Sequence, residues 1–147
     1  MATSLLALSR RAHGALDHRP LCLAGVAAPA LFAAALAWPL FLHGAAEPSR
    51  LAVLLLLAPW AEETVFRLGL QRGLAERGGW MARHAVGLTA LAFAAAHAGF
   101  SADARALATA LPALALGWLY ARTGRLAPCV AWHAAFNAAW LAAQNWN

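Results

Sequence analysis

Leu51-Ala-Val-Leu-Leu-Leu-Leu-Ala-Pro-Trp60 runs straight into Ala61-Glu62-Glu63-Thr64-Val65-Phe66-Arg67. A long stretch without a single charge thus leads into two adjacent carboxylates. Such a run needs lipid or a packed core around it, and a charged group at the centre of a membrane helix costs roughly 2.5–3.5 kcal/mol on insertion scales. An ionisable pair at that depth marks a functional site before anything else is known. Glu62 and Glu63 are the first candidates.

The rest of the chain fits a membrane setting. Its 147 residues are 63% hydrophobic and 12% charged, with a mean hydropathy of +0.60. Soluble domains average about 45–50% apolar and about 25% charged. Five apolar segments stand out: Leu21–Leu42, Leu51 to about Leu70, Ala85–Phe100, Ala106–Ala121 and Leu126–Ala143. None alternates with period 2, so the spans are helices rather than barrel strands. The expected fold is all-α, a polytopic transmembrane bundle of about five spans. Residues 1–20 read as a basic lead-in and 21–147 as one domain. The first apolar run follows Arg10, Arg11 and Arg19 and exceeds a signal-peptide core of about 7–15 residues. It reads as an uncleaved first span, kinked at Pro29, with Pro39 a second candidate kink.

All eleven basic residues are arginine, and the net charge is +5. In a soluble protein that balance would suggest nucleic acid. Here the arginines flank apolar runs, which is the positive-inside pattern, and no nucleic-acid partner is expected. Arg10, Arg11, Arg19, Arg72, Arg77, Arg83, Arg122 and Arg125 fall on one side, whereas Arg50 and Arg105 fall on the other. This predicts a cytoplasmic N-terminus. Gln71–His84 reads as an interfacial piece between the second and third spans. The abundance of Ala, Gly, Leu and Arg without lysine reads as GC-rich coding and points to a bacterial cytoplasmic membrane. Cys22 and Cys129 form no CxxC or zinc-type spacing and read as small buried hydrophobes.

Within the spans the costly polar side chains are few: Glu62, Glu63, Arg67, His97, His133 and Asn137. Their common explanation is that they meet. Glu63 and Arg67 are four apart and share a helix face, with the acid N-terminal to the base. Glu62, rotated by about one residue's turn, lacks that partner. His133 and Asn137 share a face of the last helix, as Phe93 and His97 do on the third. One depth does not fit. At ~1.5 Å per residue Glu62 lies ~16 Å into its span, but His97 lies only ~5 Å from the end of its run. Either the third helix continues past Ser101 or the core is thinned or tilted there. Taken singly, each feature has a bland reading: a structural ion pair, a packing histidine, or interhelical glue.

Glu62-Glu63-Thr64-Val65-Phe66-Arg67 resembles the EExxxR motif of the CPBP family, the intramembrane endopeptidases that include CAAX prenyl proteases and bacteriocin-processing and immunity (Abi) proteins. Phe93-Ala-Ala-Ala-His97 is similar to its FxxxH motif and His133-Ala-Ala-Phe-Asn137 to its HxxxN motif. Arg122-Thr123-Gly124 resembles the turn that precedes the last motif. The resemblance covers Leu51 to Trp140. Many relatives carry further N-terminal helices, so this chain is close to a minimal version.

That resemblance implies a glutamic protease without a cofactor, acting on a membrane-associated peptide or protein in the bilayer. Glu62 would be the general base, and His97 would polarise the same water and pass its proton to the leaving amine. His133 and Asn137 would stabilise the oxyanion, while Glu63 and Arg67 hold the helix. The small size leans towards maturation or C-terminal anchor sorting over prenyl processing. Oligomeric state stays open. Competing readings are a zinc-dependent version with a Glu/His/His set, a non-catalytic scaffold or immunity-type binder, and a proton-coupled transporter. The last should show internal repeats, and none is visible.

Overall fold

The computed structural model describes the backbone of residues 19–42 and 47–145, with side chains described within 26–39 and 47–144. Residues 1–18 of the expected lead-in, and the side chain of Cys22, lie outside this range. The described residues form five helices and no strand. α1 is Arg19–Leu42. α2 spans residues 48–76 in alternating α and π registers, α3 is Gly79–Ser101, and α4 is a 3₁₀ turn, Ala104–Thr109, running into an α-helix, Ala110–Thr123. α5 is Leu126–Asn145.

The boundaries differ from the sequence reading at one end of the bundle. α2 continues to Glu76, and after Arg77 and Gly78 the chain turns directly into α3. The separate interfacial piece expected at Gln71–His84 is therefore the end of one helix and the start of the next. Gly78 makes this turn at φ 72, a conformation that glycine adopts without strain. α3 gains its extra length at this end, not beyond Ser101, where Ala102 in the left-handed region ends it. Gly124, at φ 62, closes α4 and donates its N–H to the Tyr120 carbonyl at 2.8 Å. The chain thereby folds straight back into α5.

α1 runs through both Pro29 and Pro39 as one helix and packs on α5. The contact is built from small side chains, with Ala33 against Ala134, Ala135 and Ala138 and with Leu36 and Leu55 beside them. Small residues let helix backbones approach closely where lipid removes any hydrophobic gain from packing. On the far side, Phe93 and Ala90 of α3 meet Ala113 of α4 and Phe66 of α2.

The bundle exposes large apolar side chains and encloses its ionisable pair. Leu56, Trp60, Leu111, Phe100 and Trp140 are exposed, while Glu63 and Arg67 are fully buried. A soluble protein rarely exposes large contiguous apolar surface, so this distribution matches a lipid-facing exterior. Among the described residues, Ala104–Thr123 is the one helix long and apolar enough to cross a bilayer by length and composition, and Val26–Pro39 is a shorter apolar helix. α2 misses that criterion because it carries the ionisable residues of the site.

Candidate active site

α2 departs from regular geometry twice, and both departures bear on the site. Residue 59 is proline, which lacks an N–H and crowds the preceding turn. Over Val53–Leu57 the helix adopts a π register, with the Ala58 N–H bonded to the Val53 carbonyl. The Leu54 carbonyl then has no helical donor, because Ala58 points elsewhere and Pro59 has none to give. Asn137 Nδ2 donates to it at 2.8 Å from α5. An asparagine amide has two N–H groups, and the structure commits one of them to this anchor.

A second π segment, Thr64–Gln71, begins directly after Glu63. π-bulges are frequent at functional sites. From here three side chains spaced by four residues form a linked row. Arg67 Nε donates to Glu63 Oε2 at 2.8 Å, and Arg67 Nη1 donates to Gln71 Oε1 at 3.1 Å. Arg67 Nη2 reaches the Ala113 carbonyl on α4 at 3.1 Å, and Gln71 Nε2 reaches the Gly117 carbonyl at 2.8 Å. The pairing of Glu63 with Arg67 was readable from their spacing. Gln71 was not, because the apolar run ends at Leu70. Its signal was the same four-residue interval.

Glu63 has a second partner that spacing alone does not give. Its Oε1 accepts from His133 Nδ1 at 2.8 Å. His97 Nδ1 lies 3.0 Å from the carbonyl of Phe93, one turn back on α3. Both Nδ1 atoms must carry the proton, because a carboxylate and a carbonyl only accept. Each ring therefore turns its Nε2 inwards. Phe93 stacks on His97 at 4.3 Å between ring centroids and meets His133 edge-on at 5.8 Å.

Both Nε2 atoms face Glu62. His97 Nε2 is 3.6 Å and His133 Nε2 3.7 Å from Glu62 Oε2. These gaps are too long for direct hydrogen bonds and suit a bridging molecule. Two buried polar side-chain atoms among the described residues make no hydrogen bond, Glu62 Oε2 and Thr89 Oγ1. The sequence-predicted residues thus divide into a buried frame of Glu63 and Arg67, the inner His133, and a more open pair. Glu62 and His97 keep 30% and 34% of their side-chain surface exposed. Asn137 stands apart on the Leu54 carbonyl.

Cys129, one turn before His133, is a free and fully buried thiol whose Sγ lies against the Leu116 and Arg125 carbonyls. It makes no contact with either imidazole among the hydrogen bonds of the described residues. No group of three or more His, Cys, Asp or Glu side chains among the described residues is arranged to hold a metal ion.

Residues 44–139 match the family described as type II CAAX prenyl endopeptidase, Rce1-like. The matched region holds all of α2, α3 and α4 and every residue of the polar cluster, and it leaves α1 outside. No curated protein and no solved structure gives a significant match.

Proposed function

The chain belongs to the Rce1-like type II CAAX prenyl endopeptidase family of membrane-embedded proteases, and we propose that it is a glutamic-type enzyme in which Glu62 and His97 activate water. The observation that supports this most is the unpartnered, buried Glu62 Oε2 facing two imidazole Nε2 atoms. A water held there is oriented by two acceptors, Glu62 Oε2 and His97 Nε2. As its oxygen attacks the scissile carbonyl carbon, its proton passes to Glu62. The C–N bond then breaks, and the proton leaves on the amine, by way of His97.

The oxyanion needs a donor in this otherwise acceptor-rich centre. His133 supplies it from Nε2 when the ring has taken a second proton from solvent before the attack, and it keeps that proton through the step. Glu63 orients that ring through Nδ1 and balances its charge, and Arg67 holds Glu63. The remaining N–H of Asn137 is a second oxyanion donor in this reading, and its Leu54 bond fixes where that group sits.

The substrate is a membrane-associated peptide or protein, cleaved in maturation or in removal of a C-terminal anchor. The N-terminus lies in the cytoplasm, as the arginine distribution suggests, and the small size and GC-rich composition favour a bacterial setting. The test uses detergent-purified protein and two quenched-fluorescence peptides, one carrying a farnesylated cysteine and one carrying a single apolar span. Cleavage of either should fall by about 10²–10⁴ in Glu62→Gln and His97→Ala. Turnover equal to wild type in both variants would overturn the assignment.

A further inference from the structure

Gln71 lies two turns beyond Glu63, is 3% exposed, and takes no part in the chemistry proposed above. Its amide nevertheless uses both ends. The oxygen accepts from Arg67 Nη1, and the nitrogen donates to the main-chain carbonyl of Gly117 on α4. With Arg67 Nη2 on the Ala113 carbonyl, two consecutive turns of α4 grip the row of α2 side chains from the opposite wall. The grip depends on the absence of a side chain at 117. A Cβ there would sit 3.0 Å from Arg67 Nη1, 3.0 Å from Val86 Cγ1 and 3.1 Å from Gln71 Oε1.

We propose that Gln71, seated on the bare Gly117 backbone, is a positioning residue that sets the proton location and orientation of His133 through Arg67 and Glu63. The inference rests on the proposed role of His133 in the reaction. Each link is a hydrogen bond with a defined direction. Gln71 Oε1 and the Ala113 carbonyl engage the outer guanidinium nitrogens, so only Nε is turned to Glu63 Oε2. Glu63 Oε1 is thereby left to His133 Nδ1. Without Gln71 the Nη1 group loses its acceptor in a buried site. A guanidinium in that position turns to the nearest carboxylate, because Arg prefers a two-pronged grip on a carboxylate. Arg67 would then take both Glu63 oxygens, and His133 would lose the acceptor that fixes its tautomer.

Gln71→Met removes both amide bonds at nearly constant volume. The second variant, Gly117→Ala, keeps every polar group and pushes on the same clasp from α4. Two readouts apply to both variants in detergent micelles: steady-state kinetics on the cleaved peptide, and histidine ¹⁵N spectra with His133 assigned by its absence in His133→Ala. The expected result is a fall in kcat on the order of 10- to 100-fold, as for misplacement of a reacting group by about 1 Å, with KM within about twofold. The His133 spectrum should change from one Nδ1–H tautomer to a mixture. His97, held by the Phe93 carbonyl, should stay unchanged.

A wild-type His133 spectrum in both variants would overturn the proposal, even if the yield of folded protein falls. A shifted spectrum combined with wild-type activity of His133→Ala would instead uphold the clasp and remove the catalytic role of His133. The two readings can therefore fail separately. If Gln71→Met does not fold, Gly117→Ala decides alone, because it deletes no hydrogen-bonding group.

Discussion

Glu63 is fully buried with one oxygen on Arg67 and the other on His133, whereas Glu62, its immediate neighbour, keeps a buried oxygen with no partner. The two carboxylates therefore answer differently to the same change. Glu63→Gln leaves the Arg67 guanidinium buried without its counter-charge, and removing one member of a buried ion pair costs about 3–5 kcal/mol. Its thermal unfolding midpoint in detergent should drop steeply. Glu62→Gln, in a half-exposed position, should unfold within a few degrees of wild type while losing its turnover. If the two melting curves coincide, the division of labour between the pair is wrong. Chelation tests the same residues from another side. Turnover should survive prolonged dialysis against a strong zinc chelator, and activity lost to the chelator and restored by zinc would assign Glu62, His97 and His133 to a metal.

At the scale of elements, α2 is the part that sequence periodicity reads only partly. The spacing of Glu63 and Arg67, of Phe93 and His97, and of His133 and Asn137 was legible because it is local, and it identified three helices that had to converge. Two things were not. Pro59 displaces the register, so the partner that Asn137 finds, the Leu54 carbonyl 83 residues away, depends on a π turn that no amphipathic pattern announces. Gln71 falls in the expected interfacial piece because the apolar run stops one residue earlier, yet its partner sits on α4. Helix ends were equally obscured, since Gly79-Trp-Met-Ala-Arg-His84 carries charge and still belongs to α3. Asn137→Ala tests the register argument. It strands a part-buried carbonyl, at up to about 1–3 kcal/mol, and should lower the melting midpoint even with no substrate present. An unchanged midpoint would mean that Leu54 finds another donor. At the α1–α5 contact, Ala138→Leu should cost about 1–3 kcal/mol by overpacking a fully buried position. Turnover per folded molecule should hold there, since Ala138 packs in the alanine cluster with Ala33, Ala134 and Ala135.

For the whole molecule, the deciding property is a small enclosed ionisable cluster combined with an apolar exterior. The ionisable frame of Glu63, Arg67 and His133 is enclosed, and among the described side chains every helix turns leucines or tryptophans outwards. The five apolar segments predicted this in outline, but their number overstated how many helices qualify as spans by hydropathy alone. α2 pays for its catalytic candidates with charge, and α3 and α5 are rich in alanine, which is only weakly apolar. If lipid surrounds the bundle, an outward charge near mid-helix is far more damaging than in water. Leu111 is 71% exposed near the middle of the Ala104–Thr123 helix. In an aqueous setting Leu111→Arg would be a surface change worth within about 0.5 kcal/mol. In a bilayer it opposes insertion by roughly 2.5–3.5 kcal/mol, which should reduce the carbonate-resistant membrane fraction several-fold relative to wild type. Arg105→Leu, at the end of the same helix, should leave that fraction unchanged or raise it. Equal membrane fractions for Leu111→Arg and wild type would place this face against protein or water instead of lipid.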